Sequence, residues 1–313
     1  MGFRNKFGMT KPNDTLIIMR PANLKTKIFL DGGDPEETKQ IIESLGFLDG
    51  QTTNPTLVAK NPEASERLKS GDKFTTEELL EFYKGLVQTV SKLIPQGSVS
   101  IEVPADKNTS ASEMFKIGED MYTWIPNAHI KYPTNAAGLE AAEQTVKNGA
   151  RVNMTLCFSQ QQAAAVYAAT KLEKYETTLP GYKNTFVSPF VGRLDDKGQN
   201  GMGFIKNVID MYKTGDHHVE VLSASVRNLN HFLYALFLES DIITAPFSVL
   251  KSWADSGMKM PESDFVYDFG ALNEIPYEEL DLNKDWREFD IKHELTDSGI
   301  DRFASDWNNL IKS

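Results

Sequence analysis

The chain has 313 residues, 40% of them hydrophobic and 25% charged, with a formal net charge of -11. This is a globular composition, long enough for one large domain or two ordinary ones; its negative field repels nucleic acid and anionic membranes, so any anionic substrate needs a local cationic pocket. The lone cysteine, Cys157, excludes a disulfide framework and fits a reducing compartment.

Residues 1–26 read as an extension without an apolar core of signal-peptide length, and nowhere do about 18 apolar residues run together. A cytoplasmic chain is expected. KIFLD at 27–31 reads as a buried strand, with Asp34 as N-cap, Pro35 in the first turn and Gly46 closing the helix that follows. Thr75 and Glu78 form a capping box that opens a helix with Leu79, Tyr83, Leu86, Val87, Val90 and Ile94 on one stripe. SVSIEV at 98–103 and AHIKY at 128–132 are strands, and a helix from about Asn135 to Gly149 follows the second. RVNMTL at 151–156 leads into the alanine-rich SQQQAAAVYAAT helix; TFVSPF at 185–190 leads into a glycine-rich loop and the FIKNVIDMYKTG helix. VEVLSAS at 219–225, a helix through Leu238 and DIITAP at 241–246 complete the series. Alternating strands and helices imply parallel strands with right-handed crossovers, and about eight strands in this length predict a (β/α)8 barrel. The stripe Ile300, Phe303, Ala304, Trp307, Leu310 and Ile311 predicts an additional C-terminal helix over 298–312, packed on the barrel. Residues 105–127 and 171–184 read as irregular connections, 255–297 as acidic and irregular, and no linker divides 1–313, which reads as a single domain.

Side chains alternate along a strand, which sorts each strand into two faces. Val99, Ile101, Val103, Ile130, Tyr132, Val152, Met154 and Leu156 suit the surrounding helices. Glu102, Lys131, Asn153 and Thr155 are left facing inward at the C-terminal strand ends, where a barrel of this type builds its active site. Asp31 ends the first strand, Asn54 ends QTTN and Ser188 ends the sixth strand. Each also has a structural reading, as loop cap, turn residue before Pro55 and strand terminator. Desolvation inside a barrel disfavours an ammonium ion, and a neutral amine attacks carbonyls to form a Schiff base. The structural alternative for Lys131 is an outward-reaching side chain or a partner for a buried carboxylate such as Glu102.

FLDGGD, GQTTNPTLVAK, SIEVPAD, IKYPTNAAGLEAAE, VNMTLCFSQQQAAA, VSPFVGRLDD and VLSASVRN occur in that order over about residues 27–230, and HELTDSGIDRFASDW lies near the end. Together they resemble the transaldolase family. The resemblance implies a cofactor-free class I mechanism on sugar phosphates, in the non-oxidative pentose phosphate pathway. Lys131 would attack the ketone of fructose 6-phosphate or sedoheptulose 7-phosphate; Glu102 would move protons through a water held with Thr155. Asp31 would take the proton of the C4 hydroxyl, and Asn54, Asn153 and Ser188 would hold the dihydroxyacetone unit until an aldose phosphate accepts it. Arg193, Arg227 and Ser225 match phosphate-binding positions, and planar guanidinium donors suit phosphate oxygens; an ion pair is the structural alternative for each arginine. The nearest rival is fructose-6-phosphate aldolase, whose members carry Gln and Tyr where this chain has Glu102 and Phe190; both positions favour the transferase. A barrel that binds phosphosugars without turnover is a third reading. Monomer and homodimer are both left open.

Departures from the resemblance are Gly32 after Asp31 and the insertion KLEKYETTLPGYKNT, which is expected at the end of the barrel opposite the chemistry. The second FLDG, at 47–50, puts Asp49 at that same end. No metal site is expected: His129, His217, His218, His231 and His293 make no ligand spacing. Asp195 and Asp196 read as a solvated loop pair, Gly198, Gly201 and Gly203 form no dinucleotide fingerprint, and Cys157 reads as a small buried residue.

Overall fold

The computed structural model describes residues 20–176 and 178–312. Of the expected N-terminal extension, 1–19 lies outside the described residues; Arg20 makes a two-point ion pair with Asp49 at 2.7 and 2.8 Å.

Eight parallel strands close into a barrel in sequence order. They are β1 (Lys27–Asp31), β2 (Gly50–Thr52), β3 (Ser98–Glu102), β4 (Ala128–Pro133), β5 (Val152–Cys157), β6 (Thr185–Pro189), β7 (Val219–Ser223) and β8 (Ile242–Ala245), with β8 pairing back on β1. The helices are α1 (Pro35–Leu45), α2 (Pro55–Lys60), α3 (Pro62–Ser70), α4 (Thr76–Leu93), α5 (Ala111–Tyr122), α6 (Ala136–Lys147), α7 (Gln160–Ala169), α8 (Val191–Asp195), α9 (Gly201–Tyr212), α10 (Leu229–Phe237), α11 (Phe247–Asp255) and α12 (Glu294–Asn308). The arrangement is the expected (β/α)8 barrel with an additional C-terminal helix.

Local signals hold where they were strong. Asp34 accepts from Glu36 N, Pro35 stands in the first turn, and Gly46 ends α1 in the left-handed region. The Thr75/Glu78 capping box opens α4, whose Leu79, Tyr83, Leu86, Val87 and Val90 are buried. The first correction concerns 105–127, which is no irregular connection: Ser110 and Glu113 form a second capping box and start α5. Gly118 interrupts the large apolar stripe of that helix; a Cβ there would lie 1.9 Å from Tyr132 Oη, so close packing and not side-chain size brings α5 onto β4. A second correction is that α9 begins at Gly201, inside the expected glycine-rich loop, because Asn200 caps Gly203 N at 3.0 Å. The third concerns α12, which runs from Glu294 to Asn308 instead of 298–312. His293 Nδ1 accepts from Leu295 N at 3.2 Å and starts it early, and Ile311 leaves the helix to pair with Phe74.

The N-terminal end of the barrel is sealed. The insertion places Tyr182 beneath Phe29, Phe186 and His129, with ring centroids 6.2, 6.3 and 6.4 Å away, and its hydroxyl donates to Asp49 O. His129 stacks on Phe186 at 3.9 Å. As expected, the insertion and Asp49 both belong to the N-terminal end of the barrel.

Candidate active site

β3, β4 and β5 pair so that Glu102, Lys131 and Asn153 are lateral neighbours in one inward-facing row. Lys131 Nζ lies 2.8 Å from Glu102 Oε2, with the side chains only 4% and 5% exposed. The same amine donates to Thr53 O at 3.2 Å. That carbonyl is fixed from below: Thr53 Oγ1 donates to Ser100 O at 2.8 Å and accepts from Tyr83 Oη at 2.5 Å, and Tyr83 Oη in turn accepts from Glu102 N at 2.9 Å. Burial pushes the Tyr83 phenol well up, which keeps it a neutral donor. Burial also raises the Glu102 carboxyl, with the Lys131 charge pulling against it. Asn153 is locked between Ser100 Oγ, to which its amide donates at 3.0 Å, and Ser188 Oγ, which donates to its carbonyl at 2.6 Å. Among the described residues, Thr155 Oγ1 is buried without a protein hydrogen-bond partner.

Asp31 ends β1 across the barrel from this row. Thr52 Oγ1 donates to Asp31 Oδ1 at 2.7 Å and is itself 2.6 Å from Thr244 Oγ1. Burial raises the Asp31 carboxyl, opposed first by the charge of Lys131, then by the Thr52 hydrogen bond and Lys60. Lys131 and Asp31 both open into a cleft of ≈ 260 Å³ at the C-terminal end of the barrel, along with Asn54, Ser188, Phe190, Ser225, Arg193 and Arg227.

The two arginines are set by the β6 and β7 exits, which stay paired past the strand ends: Phe190 bridges Ala224, and Gly192 N donates to Ser225 O at 3.1 Å. Ser225 holds a left-handed backbone, φ 56°, a conformation that costs a non-glycine residue about 1–3 kcal/mol. Arg227 lies across Gly192, where a Cβ would come 2.2 Å from its Nε. The Arg193 guanidinium sits 5.7 and 5.4 Å from the Phe190 and Phe303 ring centroids, and Gly299 of α12 leaves room for it, since a Cβ there would be 2.7 Å from Nη1. Burial pushes Arg193 down, reinforced by the charge of Arg302.

Chain comparison places this geometry among known proteins. The family model described as Transaldolase/Fructose-6-phosphate aldolase matches residues 28–313. The chain belongs to that family. A "Probable transaldolase" of Dehalococcoides mccartyi is 34% identical over 286 residues, covering 91% of this chain and all of that protein. Proteins with the same description from Herpetosiphon aurantiacus and Brucella anthropi are 32% and 33% identical over 91% and 90% of this chain, and 96% of each of them is covered.

In this transaldolase-family chain the structure gathers most of the residues expected from sequence around one cleft, but not all on its surface. Glu102 stands behind Lys131 and faces a small cavity beneath α12 with Leu156, Ile300 and Phe303. Asn153 and Thr155 are fully buried beside it. Asn54 follows β2 as the N-cap of α2, its Oδ1 accepting from Leu57 N at 2.9 Å, so its turn reading holds together with its place in the cleft. Lys131 does neutralise Glu102, as its structural alternative required. Of the expected solvated loop pair, Asp196 is solvated, 56% exposed, and Asp195 is not, at 16%. Asp195 accepts from Gly201 N at 3.0 Å and faces His231 Nε2 at 3.1 Å, while Asp196 forms a two-point pair with Arg227 at 2.5 and 2.6 Å. Lys60 and Arg302 at the mouth and Tyr83 beneath Lys131 were missed. Lys60 was visible only as the last residue of GQTTNPTLVAK, and Arg302 only as the neighbour of Phe303 on the amphipathic stripe. Tyr83 read as core because its ring is core.

Proposed function

We propose that the chain is a transaldolase that moves a dihydroxyacetone unit from a ketose phosphate, such as sedoheptulose 7-phosphate or fructose 6-phosphate, to an aldose phosphate. The observation that carries this reading is the buried Lys131 amine opening into a cleft that also holds Asp31 and the cations Lys60, Arg193, Arg227 and Arg302. Lys131 attacks the C2 carbonyl; Glu102, with its raised carboxyl and the Lys131 contact at 2.8 Å, relays protons through a water shared with Thr155 as the carbinolamine loses hydroxide as water. Asp31 takes the C4 hydroxyl proton, the C3–C4 bond breaks, and its electron pair enters the iminium to leave an enamine on Lys131. The aldose phosphate leaves, a second one enters, and its aldehyde carbon accepts the enamine carbon while Asp31 returns the proton; water activated by Glu102 then adds to the new iminium, and the carbinolamine collapses to free the product ketose phosphate and the Lys131 amine. The iminium is the electron sink, so the sequence of steps calls for no cofactor.

Asn54 and Ser188 line the cleft where the three-carbon unit would sit, with Asn153 behind Ser188. Phe190 and Phe303 give an apolar wall without a hydroxyl to hold water, which favours transfer to a sugar over hydrolytic release of dihydroxyacetone. The proposed work is that of a single-domain enzyme of the non-oxidative pentose phosphate pathway in the cytoplasm; among the described residues no helix is long and apolar enough to cross a membrane. The test is intact-protein mass after borohydride treatment with fructose 6-phosphate, followed by peptide mapping. A reduced three-carbon adduct on Lys131 supports the proposal. Absence of any adduct on folded protein that still binds the sugar refutes it and leaves a phosphosugar-binding barrel, whereas an adduct with turnover independent of an aldose acceptor identifies the aldolase.

A further inference from the structure

Arg227 presents its fork to Asp196, with Nη1–Oδ1 at 2.5 Å and Nη2–Oδ2 at 2.6 Å. Two parallel bonds from one guanidinium are also the geometry in which arginine grips two phosphate oxygens. The two acceptors therefore compete for one face of one side chain. Arg227 cannot turn to a second face easily, because Gly192 backs it so closely that a Cβ there would approach Nε to 2.2 Å. The carboxylate can leave: the side chains of Arg227 and Asp196 are 46% and 56% exposed, so the pair is screened by solvent and water can take over the Asp196 oxygens when an anion displaces them. The neighbouring Asp195 is anchored, 16% exposed, between Gly201 N and His231 Nε2. It holds the end of α8 still, so only the Asp196 side chain has to move.

We infer that Asp196 is an internal counter-ion that occupies Arg227 in the resting cleft and is displaced by the substrate's phosphate, setting the affinity for phosphorylated sugars. The inference rests on the proposal that this cleft takes a sugar phosphate. Arg193, whose guanidinium faces Phe190 and Phe303, has no carboxylate within 4.0 Å among the described residues. The resting cleft thus holds one open arginine, which attracts the anion, and one occupied arginine, which exchanges partners once the anion has arrived.

The experiment is titration calorimetry with inorganic phosphate at fixed ionic strength on the wild type, Asp196→Asn, Arg227→Gln and the double variant, with KM for fructose 6-phosphate and for unphosphorylated fructose measured alongside. Removing an exposed counter-ion should tighten phosphate binding about two- to five-fold. KM for fructose 6-phosphate should fall by a similar factor, while that for fructose stays put. In the Arg227→Gln background the Asp196→Asn effect should disappear, since the cycle isolates what passes through Arg227. Weaker phosphate binding by Asp196→Asn would overturn the inference and make Asp196 a support for Arg227. Equal tightening in both backgrounds would overturn it as a through-space charge effect. If neither wild type nor any variant binds phosphate and Arg227→Gln leaves KM for fructose 6-phosphate unchanged, the phosphate reading of the cleft itself fails.

Discussion

Replacing Lys131 with Met keeps the side-chain stem and removes the charge that faces Glu102. With its ammonium partner at 2.8 Å gone, a Glu102 only 3% exposed becomes an uncompensated buried charge, at a cost of about 3–5 kcal/mol while it remains ionised. Burial already raises the Glu102 carboxyl, and Lys131 is the largest influence pulling it back, so the variant raises it further. A carboxyl held above its unfolded value of about 4.3 binds more protons folded than unfolded, so stability falls as pH rises through the folded value. Lys131→Met should therefore lose about 3 kcal/mol or more against wild type near pH 8 and clearly less near pH 5. Urea unfolding at both pH values reads the difference, as a midpoint shift at constant slope. Adding Glu102→Gln should restore most of the loss at the higher pH, because the amide carries no charge to bury. A loss of equal size at both pH values, unrecovered by Glu102→Gln, would refute the claim that a stranded carboxylate is the cause. Turnover should be absent in both variants throughout.

Asp31→Asn should stop carbon–carbon cleavage but not Schiff-base formation, so borohydride should trap the intact ketose phosphate on Lys131; a three-carbon adduct would remove Asp31 from the cleavage step. Thr155→Val replaces an unpartnered buried hydroxyl with a methyl group, a change expected to be neutral or stabilising. It should slow single-turnover Schiff-base formation without lowering the thermal midpoint, and unchanged Schiff-base formation would remove Thr155 from the proton relay. Tyr182→Ala opens the sealed end of the barrel and should lose about 3–5 kcal/mol, as for other large aromatic deletions, with kcat/KM close to wild type; a collapse of kcat/KM in the folded variant would show that the plug communicates with the cleft.

Much of this molecule was legible in its sequence because its signals are local. Alternation along KIFLD, SVSIEV and AHIKY sorts inward from outward side chains whatever the strands pair with, and the Asp34–Pro35 and Thr75–Glu78 caps announce their helices within four residues. The inward placement of Glu102, Lys131 and Asn153 follows from period-two geometry, and their lateral adjacency needs only equal strand ends in a parallel barrel. In α5 the buried face is Met114, Gly118 and Met121, so a glycine stands where an apolar side chain would continue the stripe; its Ser110–Glu113 capping box was legible and was passed over.

What only the tertiary structure decided are contacts between segments distant in the chain. Tyr83 reaches from α4 to hold Thr53 and Glu102 N, and nothing in an amphipathic stripe distinguishes a ring that is merely buried from one whose hydroxyl supports the site. Arg302 and Phe303 reach the cleft because α12 crosses the mouth, fastened by Thr296 Oγ1 donating to Leu156 O at 2.9 Å, a bond across 140 positions. Asp196 meets Arg227 across 31 positions. The order of strands and the face of each side chain are encoded residue by residue; the partner of each buried charge is not, because it depends on which segments the closed barrel brings within a few ångströms.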